Sequence, residues 1–271
     1  MDFRMENHMG TKILWAMGII LWGTSVCLAV DLTGRQIIEE QQRRHTAGNE
    51  FSDVTLTLVD RKGKEKRQHM VIYTLKKEGK TKSLIQYLAP ANIRGVGLLT
   101  WEQGEDREDD QWLYMSASRS FKRIAGGGKK NQFMGTDMAF EDLRAENLAV
   151  HEYIRRPDDT IADQTCWVIE AIPSTKTEKE LSGYGKRKLW IDQSNYHAVK
   201  VDFYDPHGRH TKTATFEDVR PVKGQLFRSF KVTWNQLRQK TSTIMTYEKI
   251  DLDTPNKDGI FTQNYVKRPI R

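Results

Sequence analysis

The feature that most constrains this chain is its rhythm. From Val54 onward, apolar side chains tend to fall on every second position, in short runs separated by turn residues. Val54, Leu56 and Leu58 alternate with Thr55 and Thr57. Asp60-Arg61-Lys62-Gly63 then turns the chain, residues 70–75 return, Lys77-Glu78-Gly79-Lys80 turns it again, and residues 83–88 follow. A period of two sends alternate side chains to opposite faces of a strand, and turns this short join only antiparallel neighbours. The pattern resumes at 167–172, 188–191, 198–204, 213–216, 230–234 and 242–247, with Asp205-Pro206-His207-Gly208 and Val222-Lys223-Gly224-Gln225 as turns. Such spacing predicts a mainly β (α+β) domain built on one strongly curved antiparallel sheet, rather than alternating β-α units.

Two stretches depart from the rhythm. Residues 32–44 read as a helix, with Ile37, Ile38 and Gln41 on one side. Residues 89–150 hold Pro90, Gly95 and Gly97, the acidic run Asp106-Arg107-Glu108-Asp109-Asp110, the triple glycine 126–128 and a helix-like stretch at 137–143. They are expected to form a loop and helix insert, and long loops inside a compact β domain are commonly functional or partner-facing.

The first thirty positions have another character. Arg4 and Lys12 precede an apolar run from Ile13 to Trp22, which fades into Gly23, Thr24 and Ser25 and reaches Cys27-Leu28-Ala29. That run is shorter than the ~20 residues of a membrane-spanning helix. A basic start, a short apolar centre and small residues at the end make a secretory signal, expected to be cleaved after Ala29; an uncleaved anchor is the alternative. Residues 30–271 then form a single domain outside the cytoplasm, in the periplasm, with Cys166 as its lone cysteine and no internal disulfide available. The formal charge of the chain is +7. Its basic residues gather near hairpin turns (Arg61, Lys62, Lys64, Lys66 and Arg67; Lys76, Lys77, Lys80 and Lys82; Lys186, Arg187 and Lys188). For an exported protein, nucleic acid is a poor partner. Attraction to an anionic membrane surface or plain solvation of edge strands accounts better for these clusters.

No catalytic constellation stands out. Gly126-Gly127-Gly128-Lys129-Lys130 lacks the spacing and the hydroxyl residue of a phosphate loop. His207 and His210 flank a hairpin glycine without a further ligand, and the acidic run lacks the glycine-punctuated order of a calcium loop. Ser116, Ser118 and Ser120 have no nucleophile-elbow glycines, and Cys166 beside Trp167 reads as an inert core thiol. No metal or cofactor is expected. Asp137 and Glu141 are four residues apart and would share a helix face as an acid/base pair. The favoured reading is structural: Asp137 caps the helix, and Glu141 and Asp142 meet nearby arginines such as Arg119 and Arg123.

Several segments resemble the exported outer membrane lipoprotein-sorting proteins, a LolA-like family of the diderm envelope. They are Pro-Ala-Asn-Ile-Arg-Gly-Val-Gly-Leu-Leu at 90–99, Asp-Gln-Trp-Leu-Tyr-Met at 110–115, Arg-Ser-Phe-Lys-Arg-Ile at 119–124 and Gln-Phe-Met-Gly-Thr-Asp-Met-Ala-Phe-Glu-Asp-Leu at 132–143. Arg94, Gly95, Trp112, Arg119, Arg123, Phe133, Gly135, Asp137, Glu141 and Asp142 carry the likeness. A proline usual after the Trp-Leu-Tyr strand is replaced by Ser116-Ala117. The resemblance implies an incomplete barrel closed on its concave side by helices and loops, and a carrier that holds acyl chains between sheet and lid without catalysis. Transferring a ~16-carbon chain to water is disfavoured by roughly 13 kcal/mol, so a carrier must offer a dry cavity. Leu84, Leu88, Leu113, Met115, Trp190, Val199, Val201 and Phe203 are the expected inward wall, with Met134 and Met138 on the lid. Gly135 is expected at a crowded or positive-φ position. Docking onto an RND-type transporter and a lipid-directed hydrolase are the competing readings.

Overall fold

The computed structural model describes Met1, residues 31–104 and residues 107–270. The expected signal segment and its cleavage point lie outside the described residues, as does Asp106. The chain divides into Met1–Asp31 and Leu32–Arg271, and the second unit carries everything described here.

Helix α1 is Gly34–His45. The strands are β1 (Asn49–Val59), β2 (Glu65–Lys77), β3 (Lys80–Ala89), β4 (Gly97–Trp101), β5 (Asp110–Met115), β6 (Ser120–Ile124), β7 (His151–Ile161), β8 (Gln164–Pro173), β9 (Lys186–Asp192), β10 (Ala198–Tyr204), β11 (His210–Lys223), β12 (Leu226–Gln236) and β13 (Thr241–Asp251). Helices α2 (Lys176–Leu181) and α3 (Gln263–Val266) are short. All thirteen described strands form one antiparallel sheet in the order β6-β5-β4-β3-β2-β1-β13-β12-β11-β10-β9-β8-β7. Two meanders therefore run outward from the central β1–β13 pair, and consecutive strands are neighbours within each, as the short turns require. The fold class is the one the alternation indicates: a mainly β sheet not closed into a barrel.

The order leaves β6 and β7 as the two free edges, so residues 125–150 must travel from one edge to the other. They do so as a chain of 3-10 turns (Gly126–Lys130, Phe140–Leu143 and Leu148–Val150) across the inner face. This segment reveals the curvature. Gln111 of β5 donates to the Phe140 carbonyl, while Thr241 and Thr243 of β13 donate to the Asp137 carboxylate. In a flat sheet β5 and β13, five steps apart, would be separated by about 24 Å. One four-residue stretch touches both, so the sheet bends around it.

Three strands lie inside the expected insert. β4 is Gly-Leu-Leu-Thr-Trp, with its first four residues buried, because it is covered on both faces. Val96 and Leu98 face inward to Phe133, Met138 and Phe140, whereas Leu99 faces outward to Phe261 and Val266 near the C-terminus. A strand covered on both sides shows no alternation, which hid it in the sequence. Gly97 permits the outer contact: a Cβ there would lie 2.7 Å from Cγ1 of Val266. The helix-like stretch at 137–143 is a correction. Only Phe140–Leu143 turns, as a 3-10 turn, while Phe133 donates its N–H to the Met138 carbonyl to close a tight loop with positive φ at Met134 and Gly135.

α1 begins with a reciprocal cap: Gln36 N–H donates to the Thr33 hydroxyl and Thr33 N–H to Oε1 of the Gln36 side chain. Ile37 and Ile38 bury against Tyr153, Ile169, Ala171, Ile191 and Ala198, and this fixes the helix over the inner face of β7–β10.

Candidate functional site

Beneath α1 and the crossing segment lies a cavity of about 730 Å³. Its floor is the inner face of β9–β13: Leu189, Ala198, Val201, Phe203, Ala214, Phe216, Val232, Trp234 and Tyr247. Its roof is polar, formed by Glu141, Asp142, Arg144, Glu146 and Asn147 of the crossing segment, Gln41 and His45 of α1, and Thr175, Thr177 and Glu178 at α2. A second cavity of about 430 Å³ adjoins it, sharing His45, Ala145, Arg228 and Tyr247.

The roof stands off the floor on paired charges. Arg187 of β9 binds Glu146 through both Nη atoms, and Tyr153 donates its hydroxyl to the same carboxylate at 2.7 Å. Burial opposes the Glu146 charge, but the Arg187 guanidinium outweighs it and holds the carboxyl at about 2. Lys212 of β11, almost fully buried, donates to Asp142 and to the Tyr184 hydroxyl, which itself donates to Asp142 at 2.8 Å. Glu141 accepts from the Ser182 hydroxyl and the Gly183 N–H, each at 2.8 Å, and burial raises its carboxyl above the usual range. Gly183 has no room for a side chain, since a Cβ would meet Glu141 Oε1 at 2.8 Å. On the other flank, Glu50 accepts from Arg228 at 2.7 Å. His45 and His197 meet edge to face with centroids 5.3 Å apart; burial lowers both, His197 to about 4.

Of the ten residues expected to form the apolar wall and lid, Val201 and Phe203 line the main cavity. Leu113, Met115, Met134 and Met138 are packed in the solid core under β1–β6. Leu84 points to the opposite face, against Phe261 and Val266. Trp190 and Val199 also face outward, beside Cys166 and Val168; the Trp190 indole donates to Asp159 at 2.9 Å and is flanked by the Lys188 and Lys200 ammonium groups. A register irregularity between Ala198 and Lys200 sets the phase of β10, separating Val199 from Val201. Leu88 is half-buried at the end of β3.

The motif residues are distributed by role. Phe133 is fully buried, stacked on Tyr87 and edge-on to Phe140. Trp112 packs edge-on to Trp101 on the outer face, Gly95 has φ +84°, and Arg94 is exposed. Gly135 has positive φ with open space around it, so conformation rather than crowding selects glycine. Asp137 does not cap a helix: its carboxylate accepts from Thr241 and Thr243, and its N–H donates to Thr243. Arg123 pairs with Asp110, and Arg119 sits exposed in a positive-φ turn, so neither reaches the carboxylates expected for it. Lys186, Arg187 and Lys188 are not a solvated basic cluster, since Lys186 binds Glu170 at 2.7 Å and Arg187 is inside. Burial pushes the Cys166 thiol up to about 11, which suits a core residue. Among the described residues, no group of three or more His, Cys, Asp or Glu is placed to hold a metal, and no helix is long and apolar enough to cross a membrane.

A family model described as "Uncharacterized protein" matches residues 79–268. No curated protein matches the chain. Among solved structures, an outer membrane lipoprotein-sorting protein domain from Vibrio parahaemolyticus is 27% identical, with a TM-score of 0.81 over 87% of this chain and 98% of that one. A DUF1329 family protein from Desulfovibrio piger is 20% identical, with a TM-score of 0.80 over 86% and 97% of the two chains. A LolA superfamily protein from Nitrosomonas europaea is 21% identical, with a TM-score of 0.69 over 87% and 100%. The chain therefore belongs to the family described as uncharacterized proteins that its residues 79–268 match, and its fold is that of the LolA-like lipoprotein-sorting proteins.

Proposed function

We propose that this protein is a non-catalytic periplasmic carrier or chaperone that shields an acyl chain of a lipid or lipoprotein between the sheet and the crossing segment. The observation that carries this reading is the cavity itself: an apolar floor of strand residues under a polar roof, with a volume of about 730 Å³. Pockets of this size and lining bury most of a small ligand's surface. The sheet supplies the dry side, and the ion pairs Glu146–Arg187 and Asp142–Lys212 hold the roof away from it. Likeness to a lipoprotein-sorting domain supports the same reading.

The geometry gives little support to hydrolysis. Asp137 and Glu141, the carboxylates that would act as acid and base, are held by separate partners on β13 and beside β9. Titration of the delipidated protein with a fluorescent acyl probe tests the carrier reading. Saturable uptake at a fixed stoichiometry is expected. Failure to saturate would leave a docking role, such as service to an RND-type transporter, as the better account.

A further inference from the structure

We infer that the ligand of the cavity is a single-chain amphiphile with an anionic head, its carboxylate or phosphate held by Arg144 and its chain laid along β10–β12; this rests on the carrier reading above. Two observations meet here. The first is volume. A methylene takes about the room of a water molecule, ~30 Å³ in the liquid, so a ~16-carbon chain needs roughly 480 Å³. The cavity of about 730 Å³ by itself accommodates one such chain and a head group, and a second chain would have to enter the adjoining cavity of about 430 Å³, whose lining (Glu50, Ser52, Thr74, Lys76, Thr81 and Glu102) is mostly polar.

The second is the charge inventory of the roof. Among the described residues, the other buried cations near the cavity each have a carboxylate within 3.0 Å: Arg187 has Glu146, Lys212 has Asp142, Arg228 has Glu50, and Lys129 has Glu108. Arg144 lines the cavity with a largely buried side chain. Among the described residues its Nε is buried with no hydrogen-bond partner, and its nearest carboxylate oxygen, on Asp109, is 3.9 Å away. The carboxylates around it have other partners: Asp109 accepts from the Gln103 N–H at 3.3 Å, Glu141 from Ser182 and Gly183, Asp142 from Lys212 and Tyr184, and Glu146 from Arg187 and Tyr153. A guanidinium is a planar fork of donors that matches a carboxylate or phosphate bidentately. A largely buried fork with no described carboxylate in hydrogen-bond reach, above an apolar floor, is arranged to receive one from outside. Val201, Phe203 and Trp234 then lie where the chain would run.

Isothermal titration of the full chain with dodecanoate, dodecyl phosphate and dodecanol separates the elements of this inference. One molecule of each anionic ligand should bind per protein, about tenfold more tightly than the alcohol, the range of a charge-assisted hydrogen bond. Arg144→Gln should reduce the anionic ligands to the affinity of dodecanol and leave dodecanol unchanged. Arg144→Lys should fall between, and Lys122→Gln, on an exposed edge strand, should bind as wild type. Whichever anion binds more tightly identifies the head as carboxylate or phosphate. An unaltered melting temperature for Arg144→Lys keeps the comparison valid if the glutamine variant unfolds. Equal affinity for dodecanol and the anions, or no effect of Arg144→Gln, would overturn the head-group assignment while leaving the carrier reading intact. Two chains per protein would overturn the single-chain assignment. Binding of none of the three would instead overturn the carrier reading.

Discussion

The two halves of the sheet obey the same alternation, yet they enclose different things. Under β1–β6 much of the inner face is filled, with Val54, Leu56, Met70, Tyr87 and Leu98 meeting Phe133, Met138 and Phe140 of the crossing segment, while Glu50, Ser52, Ile72 and Thr74 at one end of β1 and β2 border the smaller cavity. Under β9–β13 an equally apolar face, with Val201, Phe203 and Val232, borders a cavity. The difference comes from the crossing segment, not the sheet. Its first part presents aromatic and thioether side chains, which fill; its second part presents Glu141, Asp142, Arg144, Glu146 and Asn147, which cannot enter an apolar floor without partners. A filled core and a binding hollow can thus share one sheet when the segment above changes from apolar to charged within a few residues.

The strongest way to break this contrast is to empty the solid half. Phe133→Ala removes a fully buried ring packed between Tyr87 and Phe140 and should cost ~3–5 kcal/mol, measured by denaturant melts. Phe216→Ala, at the half-buried cavity floor, should cost less than half of that.

Acid should act on the hollow half first. His197 is buried neutral, its folded value lowered from 6.5 to about 4, chiefly by burial. A lowered folded value means the unfolded chain takes up the proton first. Stability is therefore full above about 6.5 and is lost as pH falls from there through about 4, by up to ~3 kcal/mol. His45 contributes in the same direction. In His197→Gln, melts across this range should show a visibly smaller slope.

The tight loop that begins the solid half sharpens the comparison more mildly. Gly135→Val should cost ~1–2 kcal/mol, because a β-branched residue is forced to φ +76° with no clash to relieve. An unchanged melting temperature would remove the backbone explanation. Arg119→Ala should move stability by less than ~0.5 kcal/mol, despite its place in the family motif, because the side chain is exposed on the outer turn.

The sheet was legible because period-two alternation and short turns directly dictate antiparallel neighbours; α1 was legible from Ile37 and Ile38. β4 escaped because burial on both faces erases alternation, and β7 because an edge strand reading His-Glu-Tyr-Ile-Arg-Arg-Pro is mostly polar. The cavity was the least legible part. Apolar periodicity marks an inward face but cannot distinguish filling from hollow, so Leu113 and Met138 looked the same as Val201 and Phe203. A sharper signal was present. Arg187 is in phase with Leu189 and Ile191, and Lys212 with Ala214 and Phe216, so each places a charge on the apolar face of its strand. A cation there requires a buried carboxylate opposite, and those carboxylates form the roof.

The central claim is that an acyl chain lies along the β10–β12 floor. Trp234 is on that floor, whereas Trp101 and Trp112 are on the opposite face. Quenching of tryptophan fluorescence by a dibrominated fatty acid reads the position directly. The account expects saturable quenching that is mostly abolished in Trp234→Phe and retained in Trp112→Phe. Quenching unchanged by Trp234→Phe, or lost with Trp112→Phe instead, would contradict it.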